Sequence, residues 1–265
     1  VHVCIYRCYY LLGRAITEMR KIKVGAVSYL NTKPLIYGFQ QGMMNNEIEL
    51  IEDYPSSIAG MLLDNVIDVG LVPVAIIPRL KEHHIIGDYC IGTSGEVASV
   101  CLFSDVPIEQ AEEVLLDYQS RTSVRLAKIL LKEYWKVNPL LTDARADFRE
   151  HIQGRTAGLV IGDRAFEQRM VSPYVYDLGK AWKDLTGLPF VFAAWISNKK
   201  LSNDFIENFN TATGRGVQVI DTIVAQNPYP LFNLKKYFEQ HISYVFDDEK
   251  KAGLHLFLEK LQSLE

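Results

Sequence analysis

The side chains of this chain best placed to do chemistry are hydroxyls and amides where short apolar runs end. Ser28-Tyr29-Leu30-Asn31 closes an apolar run that begins at Ile22, and Ser94-Gly95 and Ser99 flank the gap between two later ones. Ser120-Arg121-Thr122-Ser123 opens a helical pattern, and Gly162-Asp163 closes another apolar run. In an open α/β sheet, ligands bind beyond the carboxyl ends of strands, at turns of this kind. Few of these residues titrate, so the chemistry they suggest is the holding and orienting of an anion.

The run Ser120–Ser123 is the sharpest of these signals. A helix N-terminus offers free N–H groups and a partial positive charge, and hydroxyls in its first turn add donors suited to a carboxylate or phosphate. The plain alternative is N-capping by Ser120. Arg121 either reinforces such a site or is simply solvated. Asn31 either orients a ligand or caps the helix that Pro34 opens, and Tyr29 either contacts a ligand or packs. Ser94 and Ser99 read as cleft donors or as ordinary turn and strand residues. Asp163 reads as a ligand contact or as the cap of the helix after Gly162, whereas Trp182 and Trp195 read as packing residues.

Several familiar chemistries are missing from the sequence. It holds no H-E-x-x-H, C-x-x-C, G-x-S-x-G, Walker A or G-x-G-x-x-G motif. Adjacent His83 and His84 cannot share one face, and His151, His241 and His255 fall in charged helical surroundings that read as surface. Cys4, Cys8, Cys90 and Cys101 lack paired metal-ligand spacing. The expectation is therefore no metal and no nucleotide cradle. A net charge of −4 argues against a nucleic-acid partner. No apolar run reaches the roughly 18 residues of a membrane span.

The elements that must position these residues alternate as in α/β proteins, with apolar residues at 48% and charged ones at 23%, close to globular norms. Strands are expected over 22–29, 48–52, 67–72, 85–91, 97–103, 114–117, 156–161 and 190–196. A long helix is expected over 120–136, with Val124, Ala127, Leu131 and Tyr134 at helical spacing. After Ser202 the pattern turns helical, over 202–226, 230–240 and 248–262. Two α/β lobes joined by two crossovers follow, a clamp with a cleft between them. The crossovers are expected near 96–101 and 192–197, giving one lobe of 21–96 plus 197–265 and another of 97–196. Residues 1–20 read as an extension outside this clamp. Arg7 and Arg14 break its apolar stretches, and residues 1–18 read either as an over-extended translation start before Met19 or as a poorly ordered segment. With no signal-peptide pattern, the expected compartment is the cytoplasm.

The runs Val27-Ser28-Tyr29-Leu30-Asn31-Thr32-Lys33-Pro34-Leu35, Ser120-Arg121-Thr122-Ser123 and Thr186-Gly187-Leu188-Pro189-Phe190-Val191-Phe192-Ala193 resemble the chorismate dehydratases of menaquinone biosynthesis. Gly95-Glu96-Val97-Ala98-Ser99-Val100 and Ile161-Gly162-Asp163 fit the same pattern, so the resemblance spans about 21–262. It implies a type II periplasmic-binding-protein-like fold, two α/β lobes around a ligand cleft with a helical C-terminal tail. It also implies a cytosolic enzyme, the first of the futalosine pathway, that turns chorismate into 3-[(1-carboxyvinyl)oxy]benzoate and water without metal or organic cofactor. On this reading Asn31, Ser28 and Ser99 are expected to be catalytic. Tyr29, Ser94, Ser120, Arg121, Thr122, Ser123, Gly162 and Asp163 are expected to bind substrate. The other class this fold serves is a non-catalytic receptor or effector sensor for a small carboxylate.

Overall fold

The computed structural model describes residues 20–264, so the expectations for the N-terminal extension lie outside the described residues. The first four strands are β1 (Ile22–Val27), β2 (Ile48–Asp53), β3 (Val69–Pro73) and β4 (His84–Thr93). Five more follow: β5 (Val100–Ser104), β6 (Glu113–Leu116), β7 (Leu140–Asp143), β8 (Thr156–Ile161) and β9 (Tyr174–Asp177). The last two are β10 (Phe190–Ser197) and β11 (Ser243–Val245). They form two sheets, one ordered β11-β4-β10-β3-β1-β2 and the other β7-β6-β8-β5-β9.

Each sheet mixes directions. In the first, β1 runs parallel to β2 and β3, while β10 is antiparallel to β3 and β4. In the second, β6 runs parallel to β7 and β8, and β5 is antiparallel to β8 and β9. All residues of β3 and β10 are buried. Their continuous apolar sequences, VGLVP and FVFAAWIS, suit strands covered on both faces, where alternation would leave polar groups inside.

The helices are α1 (Lys33–Gln40), α2 (Pro55–Leu63), α3 (Thr122–Glu133), α4 (Arg164–Gln168), α5 (Leu178–Thr186), α6 (Asn203–Val217), α7 (Ile220–Gln226) and α8 (Asp248–Gln262), with a short turn at Leu234–Lys236. Prolines at the first turns of α1 and α2 cost no hydrogen bond, because those N–H groups have no intrahelical partner. Ser202 caps α6 through its hydroxyl on the Phe205 N–H, and Asp247 caps α8 on the Lys250 N–H. The tail packs mainly on the first sheet, where Phe209 meets Phe39 and Trp195 with centroids 5.0 Å apart in each case.

Four expectations differ from the structure. The strand Phe190–Ser197, assigned to the second lobe up to residue 196, pairs only within the first sheet. The chain therefore re-enters that sheet before Phe190, at the turn where Gly187 takes a φ of 74°. The strand expected over 97–103 begins only at Val100. Ala98, at a φ of 63°, bends the preceding segment, whose Val97 and Ala98 N–H groups donate to the Asp177 carboxylate. The short strands β7, β9 and β11 carry too few apolar residues to stand out in sequence. The helix expected over 230–240 is instead one short turn followed by a wide turn with π-helical hydrogen bonding at Tyr237–His241. His241, read as a surface residue, is buried there.

Candidate active site

The site is built where β1 ends. Val27 is the last residue of the strand, and a single 3-10 turn, Leu30–Thr32, leads into α1. Asn31 is 9% exposed and Tyr29 half-buried, and both line a cavity between the two sheets. The first sheet adds Pro73, Ile91, Phe192 and Ala193 to its wall. Val97, Val100, Ile161 and Gly162 face them from the other side, with Ser120, Thr122 and Ser123 at the start of α3. An apolar box with a few amides and hydroxyls is the usual make-up of a small-molecule site.

Hydrogen bonds cross this cavity's rim from one sheet's segments to the other's. The Leu30 N–H donates to the Asp163 carboxylate at 3.2 Å. The Tyr29 hydroxyl donates to the Gln119 side-chain carbonyl, and the Ala75 N–H donates to the Thr122 hydroxyl at 3.1 Å. Burial pushes the Asp163 carboxyl up to about 6, against the opposing pull of the Leu30 N–H and Lys33. Burial also raises the Tyr29 phenol, keeping it protonated. Gly162 has a φ of 65°, and a Cβ there would stand 2.9 Å from the Tyr29 ring. The position needs glycine for both reasons.

Behind Gly162 sits a polar support. Asp117, 1% exposed, accepts from Arg164 at 2.7 Å and from the Ile161 N–H at 3.1 Å. Arg164 also donates to the Gln119 carbonyl at 2.8 Å, the same oxygen that receives the Tyr29 hydroxyl. The network ties the end of β8 to the aromatic ring that lines the cavity.

A family model described as menaquinone biosynthesis matches residues 22–263. The chain belongs to this menaquinone-biosynthesis family. A chorismate dehydratase of Thermus thermophilus is 27% identical over 270 residues, covering 92% of this chain and 96% of the relative. A chorismate dehydratase of Campylobacter jejuni is 24% identical over 248 residues, covering 91% of this chain and 97% of the relative. Among solved structures, a protein of Archaeoglobus fulgidus aligns with a TM-score of 0.70 at 15% identity, covering 94% of this chain and 98% of that one. The periplasmic aliphatic sulphonate binding protein of Escherichia coli aligns with a TM-score of 0.59 at 15% identity, covering 92% and 87%. The fold is periplasmic-binding-protein-like, with a helical C-terminal region.

In this family member the structure brings together Tyr29, Asn31, Ser120, Thr122, Ser123 and Gly162 from the expected set. The Ser120 hydroxyl accepts from the Ser123 N–H at 2.9 Å, so capping and cavity lining coexist at that residue. The other five expected residues do not line the wall. Ser28 is exposed, because strand alternation turns it away from the face that Val27 presents to the cavity. Ser94 is exposed in the turn after β4. Ser99 is fully buried behind the wall, with its hydroxyl accepting from Tyr237 at 2.7 Å. Arg121 is half-buried beside the wall, where burial and the neighbouring Arg79 both lower its pKa. Asp163 does not line the cavity but reaches its rim through Leu30.

Sequence reasoning missed Gln119, Tyr229, Tyr237 and Tyr244. Tyr229 donates to the Asp163 carbonyl at 3.2 Å, and Tyr244 to the Asn31 carbonyl at 3.0 Å. The tyrosines come from the tail, and only the density of aromatics over 229–246 hinted at them. Among the described residues, no group of three His, Cys, Asp or Glu side chains is placed to hold a metal ion. No described helix is long and apolar enough to cross a membrane.

Proposed function

We propose that this protein is a chorismate dehydratase, a hydro-lyase that removes water from chorismate to give 3-[(1-carboxyvinyl)oxy]benzoate in menaquinone biosynthesis. The observation that carries the reading is the cavity itself: the Asn31 amide after β1 and hydroxyls at the N-terminus of α3, in an otherwise mostly apolar wall. A family member whose near full-length relatives bear that name supports the same conclusion. Chorismate is a dianion with a ring carboxylate, an enolpyruvyl carboxylate and a ring hydroxyl. Thr122 and Ser123, with the partial positive charge of the helix N-terminus, hold a carboxylate, and Asn31 orients the ring and its leaving hydroxyl.

The elimination breaks one ring C–H and one ring C–O bond, and the hydroxyl leaves with the proton as water. Aromatisation supplies the driving force. Among the described residues, no Asp, Glu, His, Lys or Cys lines the cavity, and the Tyr29 phenol is held protonated. The base in this reading is therefore the substrate's own enolpyruvyl carboxylate, held over the ring by the wall. The futalosine route and a cytoplasmic setting belong to the same proposal.

The test is incubation with chorismate, followed by absorbance and by isolation of the product. Loss of chorismate with a new aromatic carboxylate is expected, at a rate unchanged by EDTA or by added nicotinamide cofactor. Saturable binding without turnover would assign the protein to the non-catalytic receptors of this fold.

A further inference from the structure

We propose that Gln119 is a positioning residue that fixes the Tyr29 ring in the cavity wall and takes up its phenol proton. The proposal rests on the cavity being the chorismate site of the reading above. Gln119 stands in the turn between β6 and α3, is buried, and does not line the cavity, so it acts through Tyr29 rather than on substrate. Its side-chain carbonyl accepts from the Tyr29 hydroxyl and from Arg164, the latter at 2.8 Å.

Chemistry decides the direction of these bonds. A guanidinium only donates, so the Gln119 atom that meets Arg164 is the oxygen, and the amide cannot turn over. The NH₂ end is held as well, donating to the Tyr118 hydroxyl at 3.0 Å. Arg164 lies over the Tyr118 ring, its guanidinium 5.5 Å from the centroid, which keeps that acceptor in place. Facing an oxygen, the Tyr29 phenol has to donate the one proton it owns. Tyr29 therefore has no proton left for the cavity, and its part there is that of a fixed ring. The proton that leaves with the substrate hydroxyl comes from elsewhere.

The support beneath Gln119 holds both its backbone and its side chain. Asp117 accepts from the Gln119 N–H at 3.0 Å and from Arg164 at 2.7 Å. One buried carboxylate thus fixes the main chain of Gln119 and the guanidinium that orients its amide, and it offsets the guanidinium's charge. Packing alone does not call for an amide at this position, because methionine would fill the same space. A buried amide costs free energy unless it is bonded, so its presence needs a bonded role. Tyr29 follows β1 in the first sheet and Gln119 follows β6 in the second, so their bond spans the cavity's two sides. Gly162 backs the same ring, and a Cβ there would stand 2.9 Å from it.

The experiment compares Gln119→Met, Tyr29→Phe and the double variant for kcat and KM on chorismate, with melting temperatures alongside. Methionine keeps the length of the side chain and removes the carbonyl, while Arg164 keeps its two bonds to Asp117. Each single change is expected to lower kcat by about tenfold with KM within about twofold. A loosened ring admits unproductive poses without releasing the carboxylate held at α3. The double variant should lose less than about twofold beyond the worse single variant, because both changes break the same bond. A purely structural Gln119 would lower the melting temperature and leave kcat at the wild-type value. That result, or losses that multiply in the double variant, overturns the proposal. If Gln119→Met does not fold, Tyr29→Phe carries the test, and wild-type kcat in it overturns the proposal. If the wild-type protein leaves chorismate unchanged, the reading of the function falls, and this proposal with it.

Discussion

Asp163 is an acidic side chain at the cavity rim whose titration the fold shifts upward. Burial raises its pKa from 3.8 to about 6, so the native state binds the proton more tightly than the unfolded chain does. Stability from this group is full below about pH 4 and falls as pH rises toward about 6, where the buried carboxyl ionises. Asp163→Asn keeps an acceptor for the Leu30 N–H without the charge. Its stability relative to wild type should rise by about 2–3 kcal/mol between pH 4 and pH 7. Denaturant melts across that range read the effect, and parallel curves would count against it. Asn31 belongs to the same scale. Asn31→Ala should lower kcat/KM by at least about tenfold, read by steady-state turnover of chorismate.

At the scale of the element, the start of α3 carries two separable jobs. The Ser120 hydroxyl binds the Ser123 N–H, so Ser120→Ala should cost about 1 kcal/mol of stability by thermal melting. Ser123 and Thr122 line the cavity, and each charge-assisted hydrogen bond to an anion contributes about 1.5–3 kcal/mol. Replacing both by Ala should weaken chorismate binding by about 3 kcal/mol, a factor above about 100 in Kd by calorimetry. Thr122 also receives the Ala75 N–H, so the double variant should melt lower as well. Ser123→Ala alone isolates the binding effect. The elements themselves were largely legible: the apolar run of β8 and the helical spacing of α3 both stand in the sequence with their turns. The wide turn at Tyr237–His241 was not, because its hydrogen bonding depends on what it packs against.

For the whole molecule, closure of the cavity rests on contacts between the two sheets' segments. The Leu30–Asp163, Tyr29–Gln119 and Ala75–Thr122 hydrogen bonds all span it, and Tyr29 rests against the flat face left by Gly162. Gly162→Ala forces a side chain into a left-handed φ and against that ring. It should cost more than about 1 kcal/mol of stability and lower turnover too, because it displaces a cavity-lining aromatic. Circular-dichroism melts and chorismate turnover measure both, and a wild-type-like variant would show that the two segments tolerate separation.

The sequence by itself determined most of the longer apolar strands, where α3 begins to within two residues, and that hydroxyls and amides rather than bases stand at the turns between them. Those features follow from local periodicity and capping, which a few neighbouring residues decide. Tertiary structure alone decided that Phe190–Ser197 joins the first sheet, because a fully apolar strand satisfies either sheet equally well. It also decided that Val27 rather than Ser28 faces the cavity, since alternation separates the two faces without saying which one a second lobe will cover. Ser99 and Tyr237 lie 138 residues apart, and their hydrogen bond exists only because both sheets and the tail pack at once. A contact of that span leaves no periodic trace in the chain, for neither partner's neighbours in sequence are its neighbours in space.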